Sequence, residues 1–97
     1  MNNKISPALA AYAGKCILIT GAGGYIGSAL TARLAASAPR FLVLLDNSEQ
    51  NLHELDMALR EQGVTAYAAI LGDVCDLALL EEILERFRPE NIFHAAA

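Results

Sequence analysis

Cys16-Ile17-Leu18-Ile19-Thr20-Gly21-Ala22-Gly23-Gly24-Tyr25-Ile26-Gly27-Ser28 changes character twice along its length. Cys16–Ile19 is short and continuously apolar, as expected of a strand covered on both faces. A glycine cluster follows. Beyond it Ile26, Leu30 and Leu34 recur every four residues, the stripe of an amphipathic helix. A strand that turns through glycine straight into a helix begins a parallel α/β unit. Gly21 can take turn angles closed to a residue with a side chain. Gly24, lacking a Cβ, lets a pyrophosphate approach the main chain, and Gly27 lets the helix pack close to the sheet. The helix start adds unpaired N–H groups and a partial positive charge. Ala22, Gly23, Tyr25 and Ile26 complete the loop and are candidate contacts with the same ligand. The spacing is G-x-x-G-x-x-G, with Ile26 where the strict G-x-G-x-x-G would need glycine. No Gly-Lys-Ser/Thr follows, which excludes a P-loop. The alternative to a dinucleotide site is a glycine-rich turn without a ligand.

Outward from this turn the same alternation repeats. Phe41-Leu42-Val43-Leu44-Leu45, Ala66-Tyr67-Ala68-Ala69-Ile70-Leu71 and Asn91-Ile92-Phe93-His94 read as three more strands. Leu52, Leu55 and Leu59 form a second helical stripe, and Leu77, Leu80, Leu84 and Phe87 a third. Asn47 or Ser48 can cap the second helix and Asp76 the third. Pro39, Gly63 and Pro89 end the three helices in turn. Glu82 and Arg86 fall at i,i+4 on a solvated face. Right-handed crossovers then give a doubly wound parallel sheet of Rossmann type, in strand order 3-2-1-4, with helices on both faces. Residues 1–13 read as a partly ordered lead-in. Residues 14–97 read as a dinucleotide-binding domain, expected as four strands of a sheet that is larger in a longer enzyme.

Three strand ends carry the remaining candidates. Asp46 ends the second strand, where a carboxylate accepts hydrogen bonds from the adenosine ribose hydroxyls. Asn47 and Ser48, beside it, are candidate contacts with the same cofactor; the Asp46 charge repels a 2′-phosphate, and the residues that follow are Asn47, Ser48 and Glu49 rather than Arg or Lys. NAD is therefore expected over NADP. The alternative for Asp46 is a helix-entry residue. Asp73 can accept from the adenine amino group while the Val74 N–H meets a ring nitrogen; the alternative is that Asp73 caps a turn. Ala95 and Ala96, after His94, leave room for cofactor across the fourth strand end. His94 is expected as a packed strand residue rather than a catalyst, and His53 as solvated. Tyr25 is expected to flank the phosphates or pack beside the turn.

Composition narrows the class. The 97 residues are 55% apolar and 19% charged, enough to bury a core. A net charge of −4 with scattered basic residues argues against nucleic acid or an anionic lipid surface as partner. Cys16 and Cys75 form no C-x-x-C pair and no zinc ligand set, so both are expected reduced and mostly buried, in the cytoplasm. No signal peptide or membrane span is evident, although a longer parent could carry an anchor and hold this domain on the cytoplasmic side.

Thr20-Gly21-Ala22-Gly23-Gly24-Tyr25-Ile26-Gly27, Gly72-Asp73-Val74-Cys75-Asp76 and His94-Ala95-Ala96-Ala97 together resemble the extended short-chain dehydrogenase/reductase superfamily. Leu44-Leu45-Asp46-Asn47-Ser48-Glu49 and Arg88-Pro89-Glu90-Asn91-Ile92-Phe93 look most like its CapD-like branch of polysaccharide-biosynthesis nucleotide-sugar 4,6-dehydratases. The resemblance spans residues 14–97. It implies an NAD(P)-dependent dehydratase acting on a UDP-sugar, with cofactor regenerated within each turnover. It also implies acid/base residues beyond the fourth strand, so no catalytic residue is assigned here. Cys75 stands where many relatives have a basic residue. An NAD-dependent UDP-sugar 4-epimerase and a non-enzymatic dinucleotide sensor are the competing readings. An open fourth-strand edge would favour weak self-association.

Overall fold

The computed structural model describes residues 7–96. The elements run α1 (Pro7–Ala10), β1 (Cys16–Thr20), α2 (Tyr25–Ala35), β2 (Phe41–Asp46), α3 (Glu49–Glu61), β3 (Tyr67–Leu71), α4 (Leu77–Phe87) and β4 (Asn91–His94). The four strands form one parallel sheet in the order β3-β2-β1-β4, as expected. β1 and β2 are the central pair, and Cys16–Thr20 and Leu42–Asp46 are all buried. Because successive side chains of a strand point to opposite faces, their residues divide between two cores. Ile17, Ile19, Leu42 and Leu44 pack with Leu34 of α2 and Leu55 and Leu59 of α3. Leu18, Val43 and Leu45 pack with Ile83 of α4. Burying each such side chain contributes roughly 1.5–3 kcal/mol.

Both edge strands depart from the expectation of cover on both faces. Ile92 is 56% exposed on β4 and Leu71 52% on β3. An edge strand meets a neighbour on one side only, and a single layer of helices does not reach across it. Two stripes also need correction. On α2 Leu34 is buried and Leu30 packs against the first core as read, but Ile26 is exposed and Gly27 and Thr31 are buried in its stead. On α4 Leu77 and Leu84 face solvent, while Leu79, Leu80, Ile83 and Phe87 meet the sheet. A run rich in leucine supports more than one stripe, and the position of the crossover selects among them. The stripe of α3 falls as read, on Leu52, Leu55 and Leu59.

Residues 7–13, read as part of a lead-in, hold α1 and a turn. Leu9 and Tyr12 pack against the first core, and Tyr12 meets Phe93 edge to face at 5.3 Å between ring centres. Residues 1–6 and Ala97 lie outside the described residues. At the amino ends of the strands, Glu90 accepts from the Cys16 N–H and from Arg40, each at 3.0 Å, with Lys15 at 3.6 Å. That cluster ties the starts of β1, β2 and β4 together. The Cys16 N–H first, then Arg40 and Lys15, hold the Glu90 carboxyl below its ordinary range. Arg86 lies over the Phe87 ring at 5.2 Å, and the ion pairs among the described residues are Lys15–Glu90, Arg40–Glu90 and Arg60–Asp56, so the Glu82–Arg86 spacing is not used.

Candidate functional site

The carboxyl ends of the strands open onto a cleft of about 510 Å³. In open α/β sheets ligands bind at this end, where strand order reverses. Here the reversal falls between β1 and β4, directly beside the glycine turn. Each glycine has a distinct physical reason. Gly21 sits at φ +69°, and a Cβ there would come within 2.5 Å of the Ala96 backbone. A Cβ on Gly27 would stand 1.9 Å from the Gly21 carbonyl oxygen, so the close approach is of helix to turn rather than of helix to sheet. A Cβ on Gly23 would meet the Asn51 backbone and Cβ. Gly24 differs: a Cβ there would have one neighbour, the Gly21 carbonyl oxygen, at an ordinary 3.5 Å. Its bare side faces the cleft.

Gly24 is also the residue that enters α2, and no side chain caps that helix. Ser48 caps α3 and Asp76 caps α4, each by accepting a backbone N–H. The first N–H groups of any helix lack intrahelical partners. Where α3 and α4 each satisfy one such group with a side chain, α2 does not, and its first residues, Tyr25 and Ile26, line the cleft.

Asp46 is 6% exposed at the end of β2. Its Oδ2 accepts from the Gly23 N–H at 2.8 Å and its Oδ1 from the Ser48 N–H at 2.9 Å. The carboxylate therefore braces the glycine turn from across the strand gap, a role the sequence did not announce. An ionised carboxylate offers about four acceptor positions, so two remain for a ligand. Asp73 is exposed and its Oδ1 accepts from the Cys75 N–H at 2.9 Å, the turn-capping role weighed for it; its Oδ2 makes no such bond.

Of the residues expected to contact a cofactor, Gly21, Gly24, Tyr25, Ile26, Asp46, Asn47, Asp73, Val74, Ala95 and Ala96 all line this cleft. Ala22, Gly23, Gly27 and Ser48 do not line it. Ala22 is fully buried, with its N–H on the Leu45 carbonyl, and Ser48 is occupied as the α3 cap. Tyr25 is 92% exposed, so it stands at the cleft mouth rather than packing beside the turn. His94 is not packed either. It is exposed, and its Nδ1 lies 2.6 Å from the Thr20 hydroxyl on the neighbouring strand. Cys75 is exposed and lines the cleft, contrary to the expectation of burial, while Cys16 is buried. Asn51, Leu45 and Gly72 also line the cleft, beyond the residues expected there. Asn51 reads in sequence as one more polar helix residue, and only the approach of α3 to the glycine turn puts it there.

A second groove, of about 660 Å³, runs along α3 and β3. Three of its polar side chains satisfy one another: Tyr67 donates to Asp56, and Arg60 pairs with Asp56 at 3.0 Å. The Tyr67 hydroxyl is the main reason the Asp56 carboxyl sits low. This groove holds neither the uncapped start of α2 nor the glycine main chain that distinguish the cleft at the strand ends.

Comparison with known proteins agrees with this geometry. Residues 17–97 match the family described as polysaccharide biosynthesis protein. The dTDP-L-rhamnose 4-epimerase of Burkholderia thailandensis is 39% identical over 87 residues, covering 87% of this chain and 23% of that protein. The dTDP-glucose 4,6-dehydratase of Haemophilus influenzae is 34% identical over 82 residues, covering 84% of this chain and 24% of that protein. Among solved structures, an oxidoreductase of the short-chain dehydrogenase/reductase family from Burkholderia thailandensis superposes with a TM-score of 0.69 at 34% identity, over 81% of this chain and 30% of that one. The chain thus spans about a quarter of the length of these curated relatives.

Proposed function

Because this chain belongs to the polysaccharide biosynthesis protein family, of the short-chain dehydrogenase/reductase type found in nucleotide-sugar dehydratases and epimerases, we propose that it holds the adenosine half of NAD. One observation carries the reading: the uncapped start of α2 opens over Gly24, whose missing side chain leaves the main chain bare to the cleft. The donor set fits a dinucleotide. The α2 N–H groups and the Gly21–Gly24 main chain suit a diphosphate. The free positions of Asp46 suit the ribose hydroxyls, and Asp73 with the Val74 N–H suits the adenine edge. Small Ala95 and Ala96 leave the β4 end open.

Asp46 favours NAD over NADP, since its charge opposes a 2′-phosphate. Among the described residues no basic side chain lines the cleft to offset it. When bound, the dinucleotide supplies reversible oxidation and reduction of the substrate. This chain's residues bind and orient it, and none is assigned an acid or base role. For the whole enzyme we propose a 4,6-dehydratase acting on a UDP-sugar or a related nucleotide sugar. The similarity to a named 4-epimerase favours the second reading, C4 epimerisation. The two free cysteines accord with a reducing compartment, and a cytoplasmic setting is part of the proposal. No helix among the described residues is long and apolar enough to cross a membrane.

Titration calorimetry with NAD and NADP tests the binding reading directly: saturable NAD binding supports it, and no heat with either nucleotide overturns it. Product analysis of the whole enzyme with UDP-N-acetylglucosamine and dTDP-glucose separates the two activities. A 4-keto-6-deoxy product marks a dehydratase and a C4 epimer an epimerase.

A further inference from the structure

Asn51 stands in the first turn of α3 at the wall of the cleft, with its Cβ beside Gly23. Its backbone N–H is taken by Ser48 Oγ at 3.2 Å, but its carboxamide makes no hydrogen bond to any described residue. Gly23 in turn donates to Asp46 Oδ2 at 2.8 Å, so Asn51 and Asp46 flank the same glycine. The two side chains are complementary. An ionised carboxylate only accepts, whereas a carboxamide also donates through two N–H groups. A hydroxyl that donates to Asp46 keeps two lone pairs, and burial leaves them costly unless a donor is near. With no basic side chain on the described cleft wall, neutral donors must serve.

We propose that Asn51 is a cofactor-specificity residue whose carboxamide donates to the adenosine 2′-hydroxyl that Asp46 holds by acceptance. This rests on the NAD reading above. The pair would read the hydroxyl from both sides, Asp46 its proton and Asn51 its lone pairs. Neither the glycine motif nor the acid at the β2 end implies that second contact.

The test is calorimetry of the purified protein with NAD and with its 2′-deoxyadenosine analogue, alongside thermal unfolding. Asn51→Leu keeps the bulk beside Gly23 and removes the donor. Asn51→Asp keeps the shape, replaces the donor with an acceptor, and serves if the leucine variant fails to fold. Each is expected to weaken NAD binding by about three- to tenfold, the worth of one net hydrogen bond. Binding of the 2′-deoxy analogue should change far less, and the melting temperature little. Equal losses for NAD and the analogue, or unchanged NAD affinity in a folded variant, would overturn the assignment and leave Asn51 as packing for Gly23. A wild-type protein that binds neither NAD nor NADP would instead remove the NAD reading itself.

Discussion

Gly24 and Gly27 lie one helical turn apart, and the structure gives them opposite tasks. Consider Gly27→Ala. Its new Cβ would sit 1.9 Å from the Gly21 carbonyl oxygen, 2.8 Å from the Gly21 carbonyl carbon and 3.0 Å from that of Ala22. All three are backbone atoms, so no rotamer can relieve the contact. Helix and turn must part by about 1.1–1.5 Å before the Cβ clears the oxygen. Overpacking of this kind costs about 3 kcal/mol at the upper end of its usual range. Replacing glycine by alanine within a helix returns about 1 kcal/mol. The net loss of about 2 kcal/mol corresponds to a melting temperature lower by roughly 8–16 °C in a domain of this size. Gly24→Ala should behave otherwise. Gly24 has φ −70°, open to any residue, and its Cβ would meet only one atom at ordinary distance. That variant should melt within a few degrees of wild type yet bind NAD at least about tenfold more weakly, because the methyl stands where the diphosphate would rest. Circular dichroism melts and calorimetry on both variants decide the matter. A Gly27→Ala protein that melts with the wild type would refute the packing argument. A Gly24→Ala protein with undiminished NAD affinity would refute the cradle.

Three further outcomes are expected. Asp46→Ala should weaken NAD more than NADP; some loss should be common to both, because the Gly23 and Ser48 N–H groups lose their acceptor, so the NAD-to-NADP preference is the quantity to measure, and an unchanged preference would sink the ribose assignment. Glu90 has a depressed carboxyl pKa in the fold, so its contribution to stability is present above its ordinary value of 4.5 and is lost as pH falls through the lower folded value. Melts of wild type and Glu90→Gln should accordingly differ near neutrality and converge in acid, and a gap that stays constant from about pH 3 to pH 7 would contradict this. The chain is proposed to self-associate weakly through the β4 edge, where Ile92 is 56% exposed; Ile92→Lys should shift sedimentation towards monomer, and a wild-type chain that is monomeric at high concentration would dismiss the idea.

Local chemistry is what the sequence made legible. The apolar runs of β1 and β2, the stripe of α3, and the Ser48 and Asp76 caps all depend on neighbours a few residues away, and each falls where read. So does the glycine turn, because the freedom to take the positive φ seen at Gly21 belongs to glycine itself. The α4 leucines Leu77 and Leu84, and Ile26, lie exposed against expectation because periodicity gives a helix a face without saying where the crossover will set it. His94 and Cys75 are exposed although a packed strand histidine and a buried cysteine are expected, because residue type predicts burial only on average.

By itself, then, the amino-acid order determined the element sequence, the parallel sheet and the strand-to-helix turn, since these follow from short-range backbone preference and apolar spacing. The meeting of distant segments was decided only by the tertiary structure. Asp46 grips Gly23 across 23 positions, Ala96 closes on Gly21, and α3 brings Asn51 to the turn. Those contacts depend on the register and tilt at which separate elements pack, and no local pattern in the chain encodes them.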